Sequence, residues 1–208
     1  MHKSLDKGKI VTLDIIMALM LFAFASSISP GPNNLMLMSS GANFGFRKTL
    51  PHMFGVGFGF TLMVALVGIG IMQVFDLFPA SYLILKWCSV IYLVYLSYKV
   101  ATSAAPENKD TNKAKPFSFI QAVLFQWVNP KAWTMALTAI GIYAPERDIT
   151  SVMIVALVFG AVNLPSISVW VVLGLKIQKM LSSVKRLRIF NAVMATLLLA
   201  SLYPVLVS

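Results

Sequence analysis

The sequence predicts an all-α membrane protein: six transmembrane helices built as two inverted three-helix repeats, each opening on a broken first helix. Three observations carry that expectation. Hydrophobic residues make up 58% of the chain and charged residues only 12%, against about 25% charged in soluble domains. Apolar runs recur near the ~20 residues a helix needs to cross a bilayer. Two of those runs are broken by proline among polar residues, at SSISPGPNNLMLMSS (26–40) and at Asn129-Pro130-Lys131.

The elements follow in order. A basic tail, MHKSLDKGK, precedes an apolar run in which Ala23-Phe24-Ala25 mimics a signal-peptidase site. The run from Ile10 to Ile28 exceeds the ~7–15 residues of a signal peptide's apolar region and contains Asp14, so it reads as a retained first helix. Span one covers Val11 to Ile28 and resumes as Leu35 to Phe46. Span two, Leu50 to Val74, carries Gly55, Gly57 and Gly59, which read as close-packing positions. Span three is Tyr82 to Thr102. The stretch SAAPENKDTNKAKP has mixed charge and no apolar pattern, and reads as a solvated loop. Span four, Phe117 to Tyr143, is interrupted at Asn129-Pro130-Lys131. Span five, Ser151 to Leu175, is expected to break near Asn163-Leu164-Pro165, and span six is Ile189 to Val207. Residues 1–208 thus read as a single transmembrane domain, with repeat one at about 11–102, a linker at about 103–116 and repeat two at about 117–208.

The net charge of +10 does not indicate nucleic acid, because the charges lie between apolar spans and form no continuous basic face. They fit the positive-inside rule instead. Arg47, Lys48, Lys99, Lys109, Lys113, Lys115, Lys176, Lys179, Lys185, Arg186 and Arg188 fall in the first, third and fifth loops. Lys3, Lys7, Lys9 and Arg147 fall on the other side, and nothing basic lies near Asp76. Eleven against four places both termini outside the cytoplasm, although the basic tail counts the other way. Cys88 is the only cysteine, which excludes an internal disulfide. Its apolar and small neighbours suggest a packed small hydrophobe.

Shifting the chain by one hundred residues superposes Pro30 on Pro130, Leu37 on Leu137, Gly41 on Gly141, Arg47 on Arg147 and Met53 on Met153. The identities are few. The architectural repeat is stronger: each half holds three spans and begins with a proline-broken helix, and an odd number of spans inverts the second copy. Such paired breaks point to a transporter site near the bilayer midplane. Proline removes an amide and clashes with the preceding turn. Pro30 and Pro32 should therefore stop one half-helix and start another, exposing carbonyls and amides that hydrocarbon cannot satisfy. An amino acid carries a carboxylate for such amides and an ammonium for such carbonyls.

SISPGPNNLMLMSSGANFGFRKTLPHMFGVGFGF resembles the first-half signature of the lysine exporter (LysE/RhtB) family of amino-acid exporters. FQWVNPKAWTMAL resembles the Asn-Pro-Lys element that opens that family's second half. LKWCSVIYLVYLSYK resembles its third span, with Ser89 where a glycine is usual. The resemblance covers nearly the whole chain from about Leu13. It implies export of amino acids or close derivatives, driven by the proton gradient. Many members have aspartate after the Pro-Gly-Pro, whereas this chain has Asn33, which shifts the search for a proton-coupling group to His52.

The expected substrate-binding residues are therefore Ser29, Pro30, Gly31, Pro32, Asn33 and Asn34 at the first break, Asn129, Pro130 and Lys131 at the second, and Asn163. Each has a plainer account: a packing kink for the prolines, snorkelling for Lys131, interhelical hydrogen bonding for Asn163, Ser166 and Gln126. Trp127, Trp133 and Trp170 read as packing residues. Lys131 has no evident acidic partner within the spans, so a substrate carboxylate is its expected partner. His52 is otherwise an interfacial histidine held by hydrogen bonds. Paired catalytic carboxylates, metal-ligand clusters, a GxSxG and a phosphate loop are all missing, so an enzyme is not expected.

The leading reading is a secondary exporter of small neutral amino acids or derivatives, by proton antiport, in the bacterial cytoplasmic (inner) membrane. The alternatives are a heavy-metal cation exporter of the same superfamily, which would need carboxylates or thiolates in the spans, and a non-transporting membrane subunit. A thiol-disulfide electron carrier would need a second cysteine. The partners expected are an amino-acid substrate and the lipid bilayer, with no cofactor, metal or nucleic acid; a homo-oligomer is compatible with the sequence.

Overall fold

Backbone in contact with lipid must satisfy its own hydrogen bonds, and this chain does so with helices. The computed structural model describes residues 13–71, 73, 77–103, 115–181 and 183–207, and among them there is no strand. In chain order the helices are α1 (Leu13–Ile28), α2 (Pro32–Phe44), α3 (Phe46–Gly68), α4 (Ala80–Ala101), α5 (Phe119–Val128), α6 (Pro130–Tyr143), α7 (Ile149–Met180), α8 (Val184–Ala200) and the short α9 (Tyr203–Val207). The basic tail with Lys3, Lys7 and Lys9, Asp76, and the linker stretch with Lys109 and Lys113 lie outside the described residues.

Among the described residues α3, α4 and α7 are long and apolar enough to cross a membrane, and α1 with α2, bent by 57°, makes a fourth span when counted as one. Helices α5, α6 and α8 have 10, 14 and 17 residues, each short of the ~20 that a straight crossing takes. At 32 residues α7 is long; at 1.5 Å per residue it measures about 48 Å, well beyond a ~30 Å hydrocarbon core.

Helix α2 lies at the centre. Every residue from Asn34 to Ala42 is buried, so its polar side chains bond within the protein. The Ser40 and Thr49 hydroxyls are 2.9 Å apart, and Asn43 and Asn191 exchange amide bonds of 2.8 and 2.9 Å. Glycine sets the closest approaches. A Cβ on Gly41 would stand 2.6 Å from the Val171 carbonyl oxygen, and one on Gly174 would strike the Met38 carbonyl, so α2 and α7 cross backbone to backbone. The span-two glycines do pack closely: Gly55 against Phe119 and Ala122, Gly59 against Val123, Gly57 against Leu164.

Two sequence expectations fail here. Span five does not break at Asn163-Leu164-Pro165: α7 runs through Pro165 without interruption. Proline costs this helix one amide bond, whereas neighbouring turns remain intact and the Ser166 and Ser168 hydroxyls bond back to the Val162 and Leu164 carbonyls at 2.7 Å. Cys88 is not a packed core residue but exposed. Helix α4 buries only a stripe of Ser89, Leu93, Leu96, Ser97 and Val100, and Cys88 stands beside that stripe.

Candidate functional site

The two proline breaks meet. Residues 29–31 separate α1 from α2, and Asn129 separates α5 from α6. Proline leaves the carbonyl four residues earlier without its amide. In the first break those carbonyls belong to Ser26 and Ile28, and side chains take over. The Ser29 hydroxyl donates to Ser26 O at 2.8 Å, and the Trp170 indole N–H donates to Ile28 O at 3.1 Å. The Asn34 amide donates to both Ser27 O and Ser29 O at 2.8 Å. The Lys131 ammonium donates to Ser29 O at 2.7 Å, to the Ser29 hydroxyl at 2.8 Å and to Pro30 O at 3.3 Å.

This accounting corrects the expectation that the break offers free carbonyls to a substrate ammonium. The protein's own donors already occupy them, as buried backbone requires. It also supplies the partner that Lys131 appeared to lack: the carbonyl end of α1. Gly31 makes the contact sterically feasible, since a Cβ there would come within 2.7 Å of Lys131 Cδ and 3.1 Å of Nζ.

The amide ends of the two breaks differ. Helix α6 is capped by Asn129, whose side-chain oxygen accepts from the Lys131 amide at 3.2 Å. Helix α2 starts at Gly31-Pro32 with no side-chain cap, leaving first-turn amides and the positive end of the helix dipole. Asn33 and Gln126 tie α2 to α5 by a reciprocal amide pair of 2.8 and 3.2 Å. Gln126 is thus an interhelical partner, and Ser166 bonds its own helix.

Between the breaks lies a cavity of about 20 Å³, lined by Gly31, Asn33, Asn34, Asn129, Lys131 and Asn163 with Ser26, Ser27, Phe60, Ala132, Met135 and Ile167. That volume holds one water and no amino acid. Ser29, Pro30, Pro32 and Pro130 shape the backbone around it without lining it. Asn163 reaches in from α7, its amide donating to the Ser27 hydroxyl at 2.9 Å. His52 is not part of this cavity. It is buried in α3 with neither ring nitrogen hydrogen-bonded, against the Phe117 ring at 5.2 Å, and the Lys99 ammonium sits 4.3 Å from the centre of that same ring. It is therefore not held by hydrogen bonds at an interface. The sequence did not single out Ser27, Asn34's partner, and it read Trp170 as a packing residue, whereas its indole serves the Ile28 carbonyl. Trp170 lies 142 positions from the carbonyl it serves.

The sequence profile of the LysE type translocators matches residues 9–201. The cysteine/O-acetylserine efflux protein of Escherichia coli strain K12 is 34% identical over 136 residues, 64% of this chain and 67% of the relative. That of Shigella sonnei strain Ss046 gives the same figures. That of Shigella flexneri is 34% identical over 132 residues, 62% of this chain and 65% of its own length. No solved structure gives a significant match to the chain.

Proposed function

The chain belongs to the family of LysE type translocators, and from that premise we propose that it exports small neutral amino acids or close derivatives by proton antiport. It is a multi-pass membrane transport protein and not an enzyme. One observation carries the choice of cargo. The cavity between the breaks presents an ammonium and an uncapped helix start, both suited to a carboxylate, and among the described residues no Asp or Glu lines it. A cationic side chain would find no counter-charge there, and burying it unpaired is costly. The relatives named for efflux of cysteine and O-acetylserine handle the same class of cargo.

Lys131 exchanges partners in this scheme. In the closed cavity it holds the carbonyls of Ser29 and Pro30; in the loaded site it holds the substrate carboxylate. The cavity must open for that exchange, and freeing Lys131 from the end of α1 is the local step that opens it. Ser29 O keeps its bond from Asn34 meanwhile.

The proposed frame is six spans: α1–α2, α3, α4, α5–α6, α7 and α8, as inverted repeats at about 11–102 and 117–208. Gly31 and Lys131, one hundred residues apart, touch each other. Equivalent positions meet where a two-fold axis relates two halves. Two lysines would repel there, and glycine opposite lysine avoids it. Both termini face away from the cytoplasm, and the protein resides in the bacterial inner membrane. In a Cys88→Ala background, single cysteines at Ser103 and Glu146 should label from opposite sides of the membrane; same-side labelling overturns the frame.

His52 is the proposed proton carrier: it is the one histidine among the described residues, and an imidazole changes charge near neutral pH once opening of the fold brings water to the ring. The test uses proteoliposomes containing only this protein and loaded with labelled L-cysteine. Antiport moves protons in as substrate leaves, so acidifying the outside should speed efflux, and His52→Gln should abolish that acceleration. Efflux indifferent to the pH difference overturns the antiport, and no efflux at all overturns the export reading.

A further inference from the structure

Asn163 is 4% exposed, and its side-chain oxygen is buried without a hydrogen-bond partner. Leaving a buried acceptor unpaired costs about 1–3 kcal/mol, so such an atom in a native fold calls for an explanation. Its amide nitrogen is committed to the Ser27 hydroxyl, which leaves the oxygen as a pure acceptor on a residue that lines the cavity.

No donor of the lining bonds this oxygen, and those of Asn34 and Lys131 are fully engaged elsewhere. Asn33 donates to Gln126, Asn34 to the Ser27 and Ser29 carbonyls, and Lys131 to Ser29 and Pro30. A water can serve this oxygen in the closed cavity, and a ligand donor can take its place in the loaded one. Across the cavity stand the groups that suit an anion, Lys131 and the uncapped start of α2. The site is thus bipolar: an acceptor on α7, donors on α2 and α6. An α-amino acid carries the matching pair of charges on two groups bonded to one carbon.

We propose that the Asn163 side-chain oxygen receives the α-ammonium of the transported amino acid, so that the site selects cargo with a free α-amino group over deaminated or N-acylated analogues. This rests on the export reading above and adds the second pole of recognition. Because the acceptor is neutral, an amine lacking the carboxylate gains too little from it to bind.

The test is competition by unlabelled analogues against labelled L-cysteine on purified protein. The parent should prefer L-cysteine over 3-mercaptopropionate, which lacks only the amino group. Asn163→Leu should cut that preference about ten- to a hundredfold, the loss expected for one hydrogen bond to a charged group. Ser27→Ala, which removes the hydroxyl that fixes the Asn163 amide and spares the oxygen, should lower the preference by less than Asn163→Leu does; a loss as large as that of Asn163→Leu would count against the oxygen as the receiving atom. Asn163→Asp keeps an acceptor and adds charge, so the preference should rise; this variant decides the matter should the leucine variant not fold. A preference unchanged in both Asn163 variants overturns the inference while the export reading stands. A parent that binds neither compound overturns both.

Discussion

Gly31→Ala should cost the protein as much carboxylate recognition as removing the Lys131 ammonium outright. The added Cβ would sit 2.7 Å from Lys131 Cδ and 3.1 Å from Nζ. The neighbour is a flexible side chain, so the lysine leaves and the backbone stays. Its bonds to Ser29 and Pro30 go with it. Lys131→Met removes the same charge directly. Each variant should lower the preference for L-cysteine over its carboxamide by about ten- to a hundredfold, the loss of one charge-assisted hydrogen bond. The double variant should be no worse than either single one, because both act on one interaction. Lys131→Arg should be intermediate, since it keeps the charge and changes its shape. Additive losses would mean that Gly31 acts by another route, and a preference untouched by Lys131→Met would leave the start of α2 as the carboxylate site.

The second large effect concerns the crossing of α2 and α7. Gly174→Val should destabilise the fold strongly, whereas Gly141→Ala should stabilise it. A Cβ on Gly174 strikes the Met38 carbonyl and comes within 3.0 Å of Ala42 N, all backbone that no rotamer change can clear. Forcing the helices apart should cost about 3 kcal/mol, at the upper end of ordinary overpacking. It would also pull on the polar contacts α2 makes at both ends, Asn33 with Gln126 and Asn43 with Asn191. Gly141 lies inside α6 with nothing within 4 Å of a Cβ, so alanine there should gain ~0.5–1 kcal/mol by restricting the unfolded chain. Thermal unfolding in detergent reads both signs in one experiment. A Gly174→Val protein that melts like the parent would refute the backbone contact.

The helical class, the first break and the second break were legible because proline acts locally: it removes its own amide wherever it stands. What happens to the freed carbonyls was not legible. Their donors, Asn34 at a short distance and Trp170 and Lys131 more than one hundred positions away, are brought there by packing that no local pattern records. Pro165 misled for the complementary reason. Its local signal equals that of Pro30, but it lacks a second proline and a glycine beside it, and α7 simply continues. His52 stood out by chemistry alone, and the fold buries it against Phe117, outside the cavity between the breaks. Cys88 depended on which stripe of α4 faces inward, and an almost uniformly apolar helix does not announce that.

Among the described residues the cavity lining holds one ammonium, that of Lys131, and no carboxylate. Moving one elementary charge through 100 mV is worth about 2.3 kcal/mol, so this ammonium makes the empty cavity sensitive to membrane voltage wherever it shifts across the field. A zwitterion brings no net charge, and the loaded cavity then feels the same electrical force as the empty one. Voltage would speed one half of the cycle and slow the other equally with and without cargo, giving transport no direction. On the proposed reading, export of a zwitterion against a gradient would therefore need a second ion. An anionic cargo would be different: it would neutralise the cavity on loading, and an interior-negative potential would itself drive the cycle outward.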